Sequence, residues 1–206
     1  MKQERFNPYI WVTWLTKLIS GEQQCEFQSW FKAHYKYDKK PTDFNLTKWM
    51  ISHNQLLHKR RNELEKKGYT VKIEDQNSFC LYHPRGITIS GKADIVALGN
   101  MNRNTVEDCK TGKYRNSDQV QVMLYMMFLP KCIKEYKKIK FDGTVVYKDD
   151  VKVPIFWTDI DSNLKTVVWD VIKRIGADKP CRKTPSRSEC NFCDISKDDC
   201  PEKVEE

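Results

Sequence analysis

The sequence predicts an α/β or α+β fold in which a mixed central sheet is covered by helices. Three observations lead there. Helical segments come first; short segments rich in β-branched residues follow Gly68; a single apolar helix then interrupts those strands before more strands and a last helix. A chain of 206 residues is enough for one domain. It divides into an N-terminal helical segment (1–45), a core (46–176) and a cysteine-bearing tail (177–206).

Taken in order, residues 8–19 and 24–35 read as two short helices, followed by a loop, KYDKKPTDFN, broken at Pro41. From Leu46 to Lys67 the pattern is a longer helix, with Gly68 stopping it. At 100° per residue Trp49, Met50, Leu56, Leu57 and Leu64 share one side. His53 falls within that stripe and His58 on the opposite face. Tyr69–Glu74, Ser78–His83, Ile87–Leu98 and Thr105–Lys110 read as strands between turn-forming residues. Residues 117–129 are a largely buried helix with Ser117 as its N-cap. Gly143–Tyr147 and Val151–Trp157 form a hairpin across Lys148–Asp150. Residues 161–176 are an amphipathic helix capped by Asp161 or Ser162.

The composition narrows the function. Lys and Arg number 36 against 28 Asp and Glu, a net charge of +8. A basic surface gathers polyanions, so nucleic acid is the natural partner, although a lysine-rich soluble protein would look the same. From Cys190 onward the balance reverses to acidic, which puts any nucleic-acid groove elsewhere. No apolar run approaches the roughly 18 residues of a membrane span. The N-terminus has no signal-peptide pattern, so a cytoplasmic protein with no membrane partner is expected.

Asp94 closes the sequence Gly-Lys-Ala-Asp, and Val-Glu-Asp-Cys-Lys then carries Asp108 and Lys110. Two positions apart on a strand, Asp108 and Lys110 project from the same face, whereas Glu107 and Cys109 face the other way. Two carboxylates and a backbone carbonyl, here that of Cys109, make an oxygen-rich site for Mg²⁺ or Mn²⁺. Such an ion offsets charge on a phosphate and makes water a better nucleophile. The lysine adds a positive group for the transition state. An acid-x-lysine alone is usually a pair of surface charges; the upstream Asp94, the strand signals and the following helix argue for a site.

Eight cysteines are present, and three of them form Cys190-x-x-Cys193 with Cys200 beyond. That spacing is a metal-site pattern, with Cys181 or Cys25 available as a fourth thiolate. Spacing does not separate an iron–sulfur cluster from zinc. Cys80, Cys109 and Cys132 read as small buried hydrophobes.

The run GKADIVAL, TVEDCKTGK and QVQVMLYMM resembles the RecB-like branch of the PD-(D/E)xK nucleases. The resemblance implies a restriction-endonuclease-like core with Asp94, Asp108 and Lys110 as catalytic residues. Gln121 and Tyr125, four apart on one helical face, would frame the site and contact DNA. A histidine from a preceding helix would join Asp94, Asp108 and the Cys109 carbonyl as a metal ligand, His53 being favoured over His58. One N-terminal cysteine with three C-terminal ones is similar to the CRISPR-associated RecB-family exonucleases, their stand-alone relatives and AddB-type helicase–nucleases. In that reading Cys25, Cys190, Cys193 and Cys200 hold a structural [4Fe–4S] cluster, with [2Fe–2S] or Zn²⁺ as alternatives.

The implied activity is Mg²⁺- or Mn²⁺-dependent exonucleolytic hydrolysis of single-stranded or frayed DNA ends. It would serve CRISPR adaptation, recombination or repair, alongside other proteins of those systems. Against it stand a non-catalytic nucleic-acid-binding or assembly subunit, and a zinc-ribbon-like protein whose acids are incidental. The aromatic N-terminus (Trp11, Trp14, Phe27, Trp30, Phe31, Tyr35) reads as core, with base stacking as the other use.

Overall fold

A computed structural model describes residues 2–39 and 44–204. Pro41, in the predicted loop, lies outside the described residues, as do Glu205 and Glu206 of the acidic tail. The fold is mixed α/β, with mixed sheets flanked by helices.

The chain opens with β1 (Gln3–Glu4), β2 (Tyr9–Trp11), a 3₁₀ turn at Val12–Trp14, α1 (Thr16–Ile19) and α2 (Glu26–His34). The single helix expected over 8–19 is therefore corrected to a strand, a turn and one helical turn. Tyr9–Trp11 finds a partner far along the chain, and strand pairing overrides the local helical spacing. After β3 (Tyr35–Lys36) comes α3 (Leu46–Lys66), capped by Asn45, whose side chain accepts from the Lys48 N–H at 2.9 Å. Gly68, at φ +84°, allows the turn that ends it.

β4 (Thr70–Ile73), β5 (Ser78–Tyr82), β6 (Thr88–Lys92), β7 (Ile95–Leu98) and β8 (Asn104–Lys110) follow. α4 (Asn116–Cys132), the hairpin β9 (Asp142–Tyr147) and β10 (Lys152–Ile155), α5 (Ser162–Ile175) and the short α6 (Arg187–Cys190) complete the chain. Asp161 caps α5 by accepting from the Leu164 N–H at 2.7 Å.

Five strands form the main sheet in the order β10-β9-β8-β7-β4, antiparallel except for β8 and β9. α4 makes the connection that a parallel pair requires. A second sheet, β2-β6-β5, pairs β2 parallel to β6, and β1 pairs with β3. The strand expected over Ile87–Leu98 is thus corrected to two strands in two sheets. The break at Ala93 and Asp94 has a visible cause. Asn77, fully buried, donates from Nδ2 to the Lys72 carbonyl at 2.9 Å and the Ala93 carbonyl at 3.2 Å. The Glu74 N–H donates to the Asp94 carbonyl at 2.9 Å. These bonds hold the main chain where the sheets part.

Side-chain alternation splits the core in two. Val96, Val106, Val145 and Tyr147 pack with Val122, Leu124 and Met126 of α4. Ile95, Ala97, Cys109 and Val146 pack with Leu56, Leu57 and Leu64 of α3. Gly143 lets α4 approach: a Cβ there would meet Val122 Cγ1 at 2.4 Å and Met126 Sδ at 2.7 Å. No helix among the described residues is long and apolar enough to cross a membrane.

Candidate functional site

β8 shows directly what strand periodicity does. Glu107 points to the α3 face, where both its oxygens accept from Arg60, Nε at 2.6 Å and Nη2 at 2.8 Å. Asp108 points to the α4 face, and its Oδ1 accepts from Gln121 Nε2 at 2.8 Å. Lys110, on the same face, sets Nζ 2.7 Å from Asp108 Oδ2 and donates to Gln121 Oε1 at 2.9 Å. Gln121 Nε2 also donates to the Tyr125 hydroxyl at 3.0 Å. A Cβ at Gly91 would lie 2.6 Å from the Phe79 ring and 3.0 Å from the Tyr125 ring, so glycine in the Gly-Lys-Ala-Asp segment leaves room for both.

Asp94 reaches the same place from the corner between the sheets. Its Oδ2 accepts the Cys109 N–H at 2.7 Å, and its Oδ1 lies 3.7 Å from His53 Nε2 on α3. The five catalytic candidates and His53 therefore border one cleft of about 550 Å³. His58, the alternative ligand, is exposed away from it.

The electrostatics are those of charges gathered out of water. Burial raises the Asp94 carboxyl well above its ordinary range, and the facing Asp108 adds to it; the Cys109 N–H opposes. Burial lowers Lys110, but Asp108, Asp118 and Asp94 outweigh that and leave its pKa raised, so it stays an ammonium. Burial lowers His53, with Asp108, Glu74 and the Cys109 carbonyl pulling the other way; the net decrease favours the neutral imidazole that ligates metals.

Among the described residues, no three His, Cys, Asp or Glu side chains are arranged to hold a metal ion as they stand. One pair of donors, His53 and Asp94, nonetheless approaches the spacing a hard cation needs. Neighbouring ligands of an octahedral Mg²⁺ lie about 3 Å apart, and the 3.7 Å between His53 Nε2 and Asp94 Oδ1 is close to that. His53 Nδ1 is buried with no hydrogen-bond partner.

The expected cysteine ligands also converge. Cys25, Cys190, Cys193 and Cys200 line one small cavity, and Cys181 does not. Cys181 Sγ lies instead 3.2 Å from the Arg174 carbonyl oxygen. Glu189 joins the chain ends: its two oxygens accept from the Gln24 N–H at 2.9 Å and the Cys25 N–H at 3.0 Å. The buried Lys203 donates to the Cys193 carbonyl at 2.8 Å and the Ile195 carbonyl at 2.6 Å. Burial pushes the Cys193 and Cys200 thiols up, a cost that a thiolate-binding metal would offset. All eight cysteines are free thiols. Of the three read as small buried hydrophobes, Cys109 is buried and Cys132 is half-buried against the core, whereas Cys80 is exposed, which corrects that reading for Cys80. Cys80 lies in β5, whose odd-numbered Phe79 turns inward, so the alternation puts it on the outer face.

Other side chains at these sites escape the sequence reading. Ser117 was expected to cap α4, but Arg115 is at the cap position. Glu22 does the capping, accepting the Ser117 N–H at 2.9 Å and hydroxyl at 2.7 Å. Trp49 and Met50 share the side of α3 that carries Leu56 and Leu57, yet they are exposed and border the cleft rather than the core. Phe27, Trp30 and Phe31 are buried in the core, whereas Trp11 borders the cleft. Glu74, at φ +46°, borders it too, a placement its local sequence does not announce.

No protein-family model and no curated protein matches the chain. Among solved structures, the crystal structure of SSO0001 is similar, with a TM-score of 0.52 at 14% identity, covering 98% of this chain and 90% of that one. At that identity the likeness shows the fold alone.

Proposed function

We propose that this protein is a divalent-metal-dependent deoxyribonuclease that trims single-stranded or frayed DNA ends. The observation that carries the reading is the convergence of Asp94, Asp108 and Lys110 from β8 and the sheet corner onto one cleft. Asp94, Asp108, His53 and the Cys109 carbonyl would hold Mg²⁺ or Mn²⁺. When bound, that ion supplies Lewis acidity against the phosphate and activates water.

The chain's own groups do the rest. Lys110, kept protonated by the carboxylates, places positive charge where the pentacovalent phosphate gathers negative charge. Its one remaining N–H can orient the attacking water. Gln121 spans Asp108, Lys110 and Tyr125, which fixes the acid and the ammonium relative to α4. The Cys109 N–H holds Asp94 in the orientation that leaves Oδ1 facing His53.

Cys25, Cys190, Cys193 and Cys200 would hold a [4Fe–4S] cluster, or [2Fe–2S] or Zn²⁺, as a clamp on the two chain ends. The resemblance to RecB-like nucleases supports a role in CRISPR adaptation, recombination or repair in a cytoplasmic setting, beside other proteins of those processes. End-labelled single-stranded DNA with Mn²⁺ tests the reading: wild type shortens it, while Asp108→Ala and EDTA controls do not. Intact DNA with wild type, matching Asp108→Ala, would overturn it.

A further inference from the structure

The acidic cleft does not end at the carboxylates. Trp49 and Thr111 border it and also border a second cleft of about 600 Å³. The indole is held face to face with His53, centroids 5.0 Å apart and planes 17° from parallel, and Trp49 is still 40% exposed. Phe44 stands beside it at 6.3 Å, tilted by 53°. The second cleft is lined by Lys48, Lys59 and Lys148. Lys59 is paired with Asp150 at 2.6 Å; no carboxylate among the described residues pairs with Lys48 or Lys148. A partly exposed indole beside lysine ammonium groups is a combination that receives an unpaired base and its phosphates.

We infer that Trp49 is a base-stacking subsite that positions single-stranded DNA across the site. The strand runs from the acidic cleft over the indole into the second cleft, where Lys48 and Lys148 meet its phosphates. The inference rests on the nuclease reading for its direction and deepens it by naming the side chain that selects the substrate form. A base inside a duplex has both faces covered by its neighbours and none to give to the indole, so the subsite selects single strands. Stacking uses a face that every base has, so the preference is independent of sequence. The indole also packs on His53, so a stacked base is seated next to a proposed metal ligand.

Binding measured in EDTA separates this inference from the cleavage reading. Fluorescence anisotropy with a labelled oligothymidylate compares wild type, Trp49→Ala, Trp49→Phe and Lys148→Glu, each first checked for a wild-type thermal melt. Trp49→Ala weakens binding by about 5- to 150-fold, the range for one lost base stack, and Trp49→Phe restores most of it. Lys148→Glu weakens binding independently and more so at low salt. A 2-aminopurine in the strand is quenched by wild type and not by Trp49→Ala, and blunt duplex binding is unmoved by the substitution. Wild-type affinity and quenching in Trp49→Ala would overturn the subsite, even if Mn²⁺-dependent cleavage is seen. Trp49-dependent binding without any cleavage would uphold the subsite and remove the nuclease reading alone.

Discussion

Asp94, Asp108 and Lys110 lie within one short stretch of chain, and strand alternation aims the last two. Cys25 and Cys200 stand at opposite ends of the sequence, and their cavity is closed by bonds such as Glu189 to Cys25 across 164 positions. The first site is carried by the main sheet, with α3 and α4 packed on its two faces. The second is carried by a loop, a four-residue helix and a tail. A site built on strands inherits its geometry from backbone hydrogen bonds and needs little else to keep its shape. A site built on chain ends depends on whatever joins the ends, whether ion pairs, buried Lys203 or a thiolate-bound metal. The two regions are therefore expected to fail in different ways.

The largest separation is expected at Lys110. Lys110→Ala lowers the rate of Mn²⁺-dependent cleavage by about 10²–10³-fold, while metal content at the cysteines and the thermal melt stay as in wild type. Loss of both together would mean that the two regions are not independent.

Behind the Asp94–Asp108 cleft, Arg60 and Glu107 are a buried ion pair, 7% and 1% exposed. Arg60→Ala leaves Glu107 charged and unpaired, at about 3–5 kcal/mol of stability by urea unfolding. The double change to Arg60→Met and Glu107→Leu recovers most of that loss. An Arg60→Ala protein as stable as wild type would show that the sheet does not depend on this pair.

Cys200→Ser sharpens the contrast from the other side. It removes the visible absorbance or bound zinc and lowers the unfolding midpoint, yet reduces cleavage by only about tenfold, the scale of a supporting contact. Glu22 links the regions, three positions before Cys25 and hydrogen-bonded to the start of α4. Glu22→Ala costs about 0.5–2 kcal/mol, as for a lost helix cap. Its effect on cleavage is measured with the cysteine site loaded and stripped; equal effects in the two states would rule out coupling through this contact.

The smallest effect is one of pH. His34 stacks on Trp30 at 4.6 Å, faces the Ile175 carbonyl at 3.2 Å, and is lowered from 6.5 by burial. The unfolded chain takes the proton first as pH falls, so stability is whole above about pH 6.5 and declines below it. Unfolding midpoints at about pH 7.5 and about pH 5.5 should differ less in His34→Gln than in wild type.

How much could be read in advance follows from the same contrast. Asp108 and Lys110 on one face, with Glu107 and Cys109 on the other, were legible because a strand alternates whatever surrounds it. His53 over His58 was legible for the corresponding helical reason. The corner at Asp94 was hidden, since Ile87–Leu98 has the composition of one strand and the break depends on Asn77, whose side chain reaches the Ala93 carbonyl from another segment. The N-terminal strand was hidden because Tyr9–Trp11 pairs with Thr88–Ser90, a partner no local window contains. Trp49 shows a subtler limit: the side of α3 it occupies was legible, but not that it borders a cleft there and stays exposed. Among the cysteines, the Cys190 and Cys193 spacing was legible, and the choice of Cys25 over Cys181 came only with the resemblance.

The central claim is that two carboxylates and an imidazole share one divalent ion. Electron paramagnetic resonance of free Mn²⁺ during titration measures that directly, in wild type and in Asp94→Asn, whose amide oxygen still accepts the Cys109 N–H. One tight Mn²⁺ per chain in wild type, lost in Asp94→Asn together with cleavage, is the result predicted here. Unchanged Mn²⁺ stoichiometry and affinity in Asp94→Asn would contradict it.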